Sequence, residues 1–237
     1  FIDTGEMYGN GNNEELIGKV LKDYDRKKIF IHTKLYTKDK FESKESVLNR
    51  TRKALERLGT DYVDCMGIHG ADNSTIIRDE AFHEAMKQLK EEGRVRAVGV
   101  SCHGNNWYIN TQESLEKILM TAVEDGRFDV FQLAYNFFNE EMAGKVLDAC
   151  EKKGIGTAIM KSNPVAIYLM LDKRVKRLQQ EEKEVDDYTE GFYEKYTKMM
   201  AEARNYFKGY GVVSDEQLKE AALKFVLSNP RAHTITY

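Results

Sequence analysis

Short apolar runs alternate along the chain with longer segments whose apolar residues recur every three or four positions. The runs begin near Phe1, Ile29, Tyr62, Val95, Phe128 and Ile155, and the inner ones are evenly spaced (62 − 29, 95 − 62 and 128 − 95 are each 33). Each run reads as a buried strand, since it is short, rich in β-branched residues and bounded by turn formers. The helix-period segments Leu48 to Leu58, Phe82 to Leu89, Leu115 to Val123 and Met142 to Cys150 stop just before Gly59, Gly93, Gly126 and Gly154. A glycine past a helix end takes the left-handed conformation with no Cβ clash, so these four mark helix C-termini. Starts are marked too, by Asn139 with Glu140 and Glu141 and by the capping box Ser214-Asp215-Glu216-Gln217.

A repeat of this length holds one strand and one helix, and strand–helix alternation predicts a parallel sheet. With a last strand at His233 to Tyr237 the count reaches seven. An open doubly wound sheet also accommodates seven strands. The α/β (β/α)8 TIM barrel is favoured because candidate chemical residues end several different strands, whereas an open sheet gathers its ligand groups at one switch point. Residues 1–237 are expected to be a single barrel domain that is incomplete at both ends. Phe1-Ile2 already reads as mid-strand, with no initiator Met, and Thr234 to Tyr237 reads as a strand with nothing after it. Phe1 then falls in strand two and Gly156 to Lys161 in strand seven. Residues 166–208 form a long, charged helical insertion between strands seven and eight, with Tyr168, Leu171, Val175 and Leu178 on one stripe. Its two readings are a surface excursion and a lid over the barrel mouth.

Composition narrows the class. A chain of 237 residues that is 41% hydrophobic and 32% charged has the balance of a soluble globular protein. No run approaches the ~18 apolar residues of a membrane span. The net charge of −3 gives no electrostatic reason to expect nucleic acid or an anionic membrane as partner. Three cysteines, Cys65, Cys102 and Cys150, lack paired spacing and suit a reducing, cytoplasmic compartment. The oligomeric state has no signature in the sequence.

Asp3, Tyr8, Lys34 and His69 each sit where a predicted strand gives way to a loop. Converging on one barrel mouth, an acid, a phenol, an amine and an imidazole can protonate a carbonyl oxygen. Lys34 favours the phenolate and so eases proton loss from Tyr8, making it a usable general acid. Asp3 pairs with the Lys34 ammonium, and His69 orients and polarises the carbonyl. Taken singly, each has an ordinary structural reading: a turn cap, a packing ring, a surface charge, a satisfied imidazole. In this order, with Tyr five positions after Asp (8 − 3 = 5), they resemble the catalytic tetrad of the aldo-keto reductase family.

The resemblance runs the length of the chain. Glu14 to Gly18, Leu58 to Asp64, Gly93 to Ser101, and Gln132 with Tyr135-Asn136 are similar to successive family segments. It implies an NADPH-dependent oxidoreductase, with NADH the other choice, that reduces an aldehyde or ketone, a small-molecule carbonyl substrate. It also implies that Ser101 and Gln132 hold the nicotinamide carboxamide, and that Lys161 and Ser162 contact the pyrophosphate. Two positions depart from the family pattern. Cys102 stands where Asn is usual, and Met160 where a tyrosine commonly stacks on the nicotinamide. A thioether against an aromatic ring is still favourable. Some family members with Met-Lys here continue into a cysteine-rich, ferredoxin-like segment, so the resemblance leaves open an iron–sulfur cluster in a segment past Tyr237.

The other motifs carry less. Cys102-His103 with His69 lacks the spacing of a metal site, so no metal is expected. Gly9-Asn10-Gly11 lacks the dinucleotide fingerprint and reads as a flexible loop. Trp107 with Asn105-Asn106 either lines the mouth or covers the barrel. Two rival functions are a slow, nucleotide-binding barrel that senses redox state for a partner and a metal-dependent barrel hydrolase. Intact Tyr8 and Lys34 favour catalysis over sensing.

Overall fold

The computed structural model, which describes residues 1–104 and 113–236, is a curled sheet of seven parallel strands flanked by helices. The strands are β1 (Ile2–Asp3), β2 (Ile31–Tyr36), β3 (Val63–His69), β4 (Val95–Cys102), β5 (Val130–Ala134), β6 (Gly156–Met160) and β7 (Thr234–Ile235). Each pairs with its sequence neighbour in the order β1 to β7, and among the described residues β1 and β7 do not pair with each other. All seven expected strands are present and parallel, and the eighth that would close a barrel is not among them. The helices are α1 (Asn12–Leu21), α2 (Lys44–Leu58), α3 (Glu80–Glu91), α4 (Leu115–Asp125), α5 (Glu140–Lys153), α6 (Pro164–Gln180), α7 (Asp187–Lys208) and α8 (Asp215–Leu227).

The caps follow the local chemistry with one exception. Gly59, Gly126 and Gly154 end α2, α4 and α5 in the left-handed conformation, and Ser214 with Gln217 closes a full capping box on α8. Asn139 precedes α5 as expected, yet its side chain does not cap that helix. It accepts from Asn136 N–H and donates to the Ala134 carbonyl, so it locks the turn after β5 instead. The Gly9 to Gly11 loop is a turn of three left-handed residues, with Asn12 N–H donating to the Gly9 carbonyl at 3.1 Å. The 166–208 insertion is the pair α6 and α7, with Tyr168 and Val175 buried along the expected stripe and Leu171 and Leu178 half-buried.

Strand residues alternate between two buried layers. Ile31, Leu35, Met66, Ile68, Val100, Phe131 and Ile159 belong to the apolar core, each contributing roughly 1.5–3 kcal/mol by burial. His32 and Lys34 occupy the opposite face of β2, inside the curl. On the core side, fully buried Glu14 of α1 accepts from Thr33 Oγ1 and pairs with Arg57 of α2. A Cβ on Gly18 would lie 2.4 Å from the Arg57 carbonyl, so α1 seats directly on α2. At the strands' N-terminal ends, Asp64 and Asp129 accept the Ile31 and Val98 N–H groups of the preceding strand. That end is tied by structural contacts. The chemistry gathers at the other.

Candidate active site

Asp3 ends β1, Lys34 lies near the end of β2, His69 ends β3, Ser101 lies near the end of β4, and Gln132 is in β5. Tyr8 follows in the turn after β1, where its N–H donates to the Gly5 carbonyl at 3.0 Å. Asp3, Tyr8, His69, Ser101, Gln132, Met160, Lys161 and Ser162 line one cavity of about 270 Å3. Lys34, the remaining expected residue, is buried and forms an ion pair with Asp3. Its Nζ also donates to Gln132 Oε1 at 3.0 Å and lies 5.5 Å from the centroid of the Tyr8 ring. Tyr8 and His69 meet edge to face, ring centroids 5.2 Å apart. All nine residues expected from the sequence are brought together.

Electrostatics set protonation states. Burial lowers the Lys34 pKa, and the neighbouring Asp3 carboxylate opposes that. Burial first, and then the Lys34 charge, lowers His69 to about 4, so its imidazole is neutral at physiological pH. A neutral imidazole can donate one hydrogen bond to a carbonyl oxygen without competing for Asp3. Gly5 stands behind it, where a Cβ would lie 3.3 Å from His69 Nδ1.

The polar wall suits a carboxamide. Ser101 Oγ accepts the Gly70 N–H at 2.7 Å, which leaves its hydroxyl hydrogen to donate. Gln132 Oε1 is occupied by Lys34, so its amide group turns its donors the other way, one toward Thr236 Oγ1 at 3.2 Å. The residues present therefore fit a nicotinamide held by Ser101 and Gln132 against Met160.

Four contributors escaped the sequence reading. His32 is fully buried two residues before Lys34, and the strand period of two was the signal that placed them on one face. Its Nδ1 lies 3.8 Å from Asp3 Oδ1. His103, considered only as a metal ligand, lines the cavity, and burial lowers its pKa to about 3. Cys102, by contrast, is buried in the core layer with its thiol pushed up to about 12. Asn163 and Thr236 complete the rim. Among the described residues no cluster of three or more His, Cys, Asp or Glu could hold a metal, and Asn105, Asn106 and Trp107 lie outside them.

Residues 1–236 match the aldo/keto reductase family profile. The chain belongs to the aldo/keto reductase family. Aldo-keto reductase YhdN of Bacillus subtilis is 32% identical over 168 residues, 67% of this chain and 46% of the relative. The NADH-specific methylglyoxal reductase of Escherichia coli is 28% identical over 171 residues, 65% of this chain and 49% of the relative. This family member thus spans about half the length of the curated relatives it matches. A thermostable aldo-keto reductase crystallised with the inhibitor epalrestat superposes with a TM-score of 0.61 at 23% identity, covering 99% of this chain and 70% of that one. The Klebsiella pneumoniae aldo-keto reductase in complex with NADPH gives 0.53 at 24%, covering 70% and 53%. At those identities the structural likeness is one of fold. Among the described residues of this aldo/keto reductase family member, no helix is long and apolar enough to cross a membrane.

Proposed function

We propose that the protein is an NADPH-dependent oxidoreductase, with NADH the other donor, that reduces a small aldehyde or ketone to the alcohol. The observation that carries this reading is the single cavity shared by Tyr8, His69, Asp3, Ser101, Gln132 and Met160, with Lys34 buried against Asp3 behind it. A bound nicotinamide nucleotide supplies the hydride that no side chain can. Ser101 and Gln132 orient the carboxamide, and Met160 packs on the ring face. His69, neutral, donates to the substrate oxygen and fixes its direction. Tyr8 transfers its hydroxyl proton to that oxygen as the carbonyl carbon is reduced, and the phenolate regains a proton from solvent. Lys34 stabilises the phenolate through charge, and Asp3 holds the ammonium in place.

The seven strands belong, on this reading, to a single (β/α)8 barrel domain spanning 1–237, with α6 and α7 inserted ahead of the last strand. Cavity residues Asn163, Ala166 and Ile167 lie at the start of α6, which supports a role for that pair in shaping the mouth. The cytoplasm suits three free, buried cysteines.

Fluorescence titration with NADPH and NADH, followed by turnover on a panel of aldehydes and ketones, tests the assignment. Saturable nucleotide binding with carbonyl-dependent oxidation is expected. Binding without turnover on any carbonyl would favour a redox-sensing barrel instead, and absence of both would sink the nicotinamide reading altogether.

A further inference from the structure

Tyr8 stands on a loop rather than on a strand. Its side chain is 40% exposed, so burial alone does not fix the ring, and its place depends on what holds the loop. On one side the loop is tied to α1. Thr4 Oγ1 donates to Asn13 Oδ1 at 2.8 Å, and the Asn13 N–H donates to the Tyr8 carbonyl at 3.2 Å. On the other side it follows β2 past the end of β1, with the Thr4 and Glu6 N–H groups donating to the His32 and Lys34 carbonyls at 2.9 and 3.2 Å. The next link is a side chain. Glu6 Oε1 accepts the Tyr36 N–H at 2.9 Å, where β2 ends.

Arg50 of α2 closes this corner. Its Nε donates to Glu6 Oε2 at 3.2 Å, while a terminal nitrogen pairs with Glu6 Oε1 and also donates to the Tyr36 carbonyl. The guanidinium lies 5.4 Å from the centroid of the buried Phe41 ring, which stacks on Phe82 of the core. A fully exposed ion pair contributes little. Here side-chain exposure falls to 29% for Arg50 and 18% for Glu6, and the planar fork directs its donors at three acceptors. Tyr36 and Tyr8 both meet His69 edge-on, with ring centroids 6.5 and 5.2 Å away. One guanidinium thus ties the Tyr8 loop and the end of the Lys34 strand to a single helix. The described lining of the cavity includes neither Glu6 nor Arg50, so both act from outside it.

We propose that Arg50 is a positioning residue for the reduction: through Glu6 and the Tyr36 backbone it sets the loop carrying Tyr8 against the strand carrying Lys34. This rests on the reductase reading above. A reacting group displaced by about 1 Å loses up to ~10²-fold in rate, so such a tie matters as much as a group that touches substrate.

The test uses Arg50→Met, which keeps an unbranched stem over Phe41 and removes the fork, in the full chain with NADPH. Arg52→Met, which breaks a surface pair with Glu92 on the same helix, is the control and should match wild type. In Arg50→Met, kcat for an aldehyde should fall about tenfold to a hundredfold, with KM, the NADPH Kd and the melting temperature near wild type. Glu6→Ala should lower kcat by a similar factor, and the two together little more than either, as residues acting as one unit do. A wild-type kcat in Arg50→Met, or losses that multiply in the double variant, would overturn the proposal. So would a kcat loss that tracks equal losses of nucleotide affinity and melting temperature. Ring-proton cross-peaks between Tyr8 and His69, assigned with Tyr8→Phe, need no turnover, so they separate failure of this proposal from failure of the reductase reading. Their weakening in Arg50→Met supports the proposal, and cross-peaks as strong as in wild type refute it.

Discussion

Lys34 of β2 donates from Nζ to Gln132 Oε1 of β5 at 3.0 Å, across two intervening strands that carry glycine in its row. Lys34 registers with Gly67 on β3, and Gly67 with Gly99 on β4. With no side chains at those two positions, His32 and Lys34 have room inside the curl. A lysine can then reach from the proton-transfer corner to the residue that would hold the carboxamide. On the proposed reading, one hydrogen bond would link proton delivery to cofactor placement.

Tyr8→Phe is expected to abolish carbonyl reduction while nucleotide binding survives. The ring keeps its edge contact with His69 but loses the transferable proton. Removing a general acid costs about 10²- to 10⁴-fold in rate. A variant retaining more than about a tenth of wild-type kcat would show that the proton comes from elsewhere.

Lys34→Met removes the partner of Asp3 and of Gln132 together. The tyrosine pKa should rise, moving the kinetic pKa upward and lowering the rate at neutral pH. Stranding a buried carboxylate costs ~3–5 kcal/mol, and Asp3, being partly exposed, should fall below that range. An unchanged pH–rate profile in stopped-flow assays would remove Lys34 from the chemistry.

Acid should destabilise the fold through its buried imidazoles. Burial lowers His32, His69, His83 and His103, with His69 at about 4 and His103 at about 3. In the unfolded chain all four titrate near ~6.5. Between about pH 6.5 and 4 the unfolded chain therefore binds protons that folded His69 and His103 refuse, and stability drops by up to ~1.4 kcal/mol per pH unit for each of these two. The stabilisation is complete above the unfolded value and lost as pH falls. Melting temperature should decline across that window, while kcat shows no ionisation near 6.5 from His69. A flat melting temperature down to pH 4 would contradict the burial of these rings.

Gly67→Ala should disturb the site from beneath. Its Cβ would lie 2.7 Å from His32 Nε2, and a Cβ on Gly99 would lie 3.0 Å from the same atom. Overpacking of this kind costs about 1–3 kcal/mol. Replacing His32 by alanine in the Gly67→Ala background should recover part of the loss, which a double-mutant cycle of chemical denaturation midpoints would measure. Strict additivity would mean that His32 does not fill this space.

Met160→Tyr should tighten nucleotide binding by restoring the stacking surface common in the family. Aromatic contacts add about 0.5–1.5 kcal/mol, up to roughly tenfold in Kd. Met160 is nearly buried on the cavity wall, so space for the larger ring decides the outcome. An equal or weaker Kd by fluorescence titration, with the circular dichroism unchanged, would show that this side chain does not face the nicotinamide.

Much of this protein was legible along the chain because the controlling interactions are local. Glycine at Gly59, Gly126 and Gly154 has to end a helix wherever the helix packs, and Ser214 caps α8 with partners three residues away. A strand–helix repeat leaves parallel pairing as the outcome, and ends of parallel strands collect on one face, so Asp3, Lys34 and His69 were already neighbours in principle. Asn139 shows where local reasoning stops. Its side chain had a helix to cap, and the carbonyl of Ala134 and the amide of Asn136 bound it instead. His32 sits beside Lys34 in sequence, yet its environment is made by Gly67 and Gly99, contributed by two other strands. The link from Lys34 to Gln132 and the clamp from Asn136 to Lys161 join residues far apart in sequence. Residue type and period alone determined which elements form and which ends carry chemistry. Only the curl of the sheet decided which side chains meet, because contacts between distant residues depend on strand register and on the space that neighbours leave unfilled.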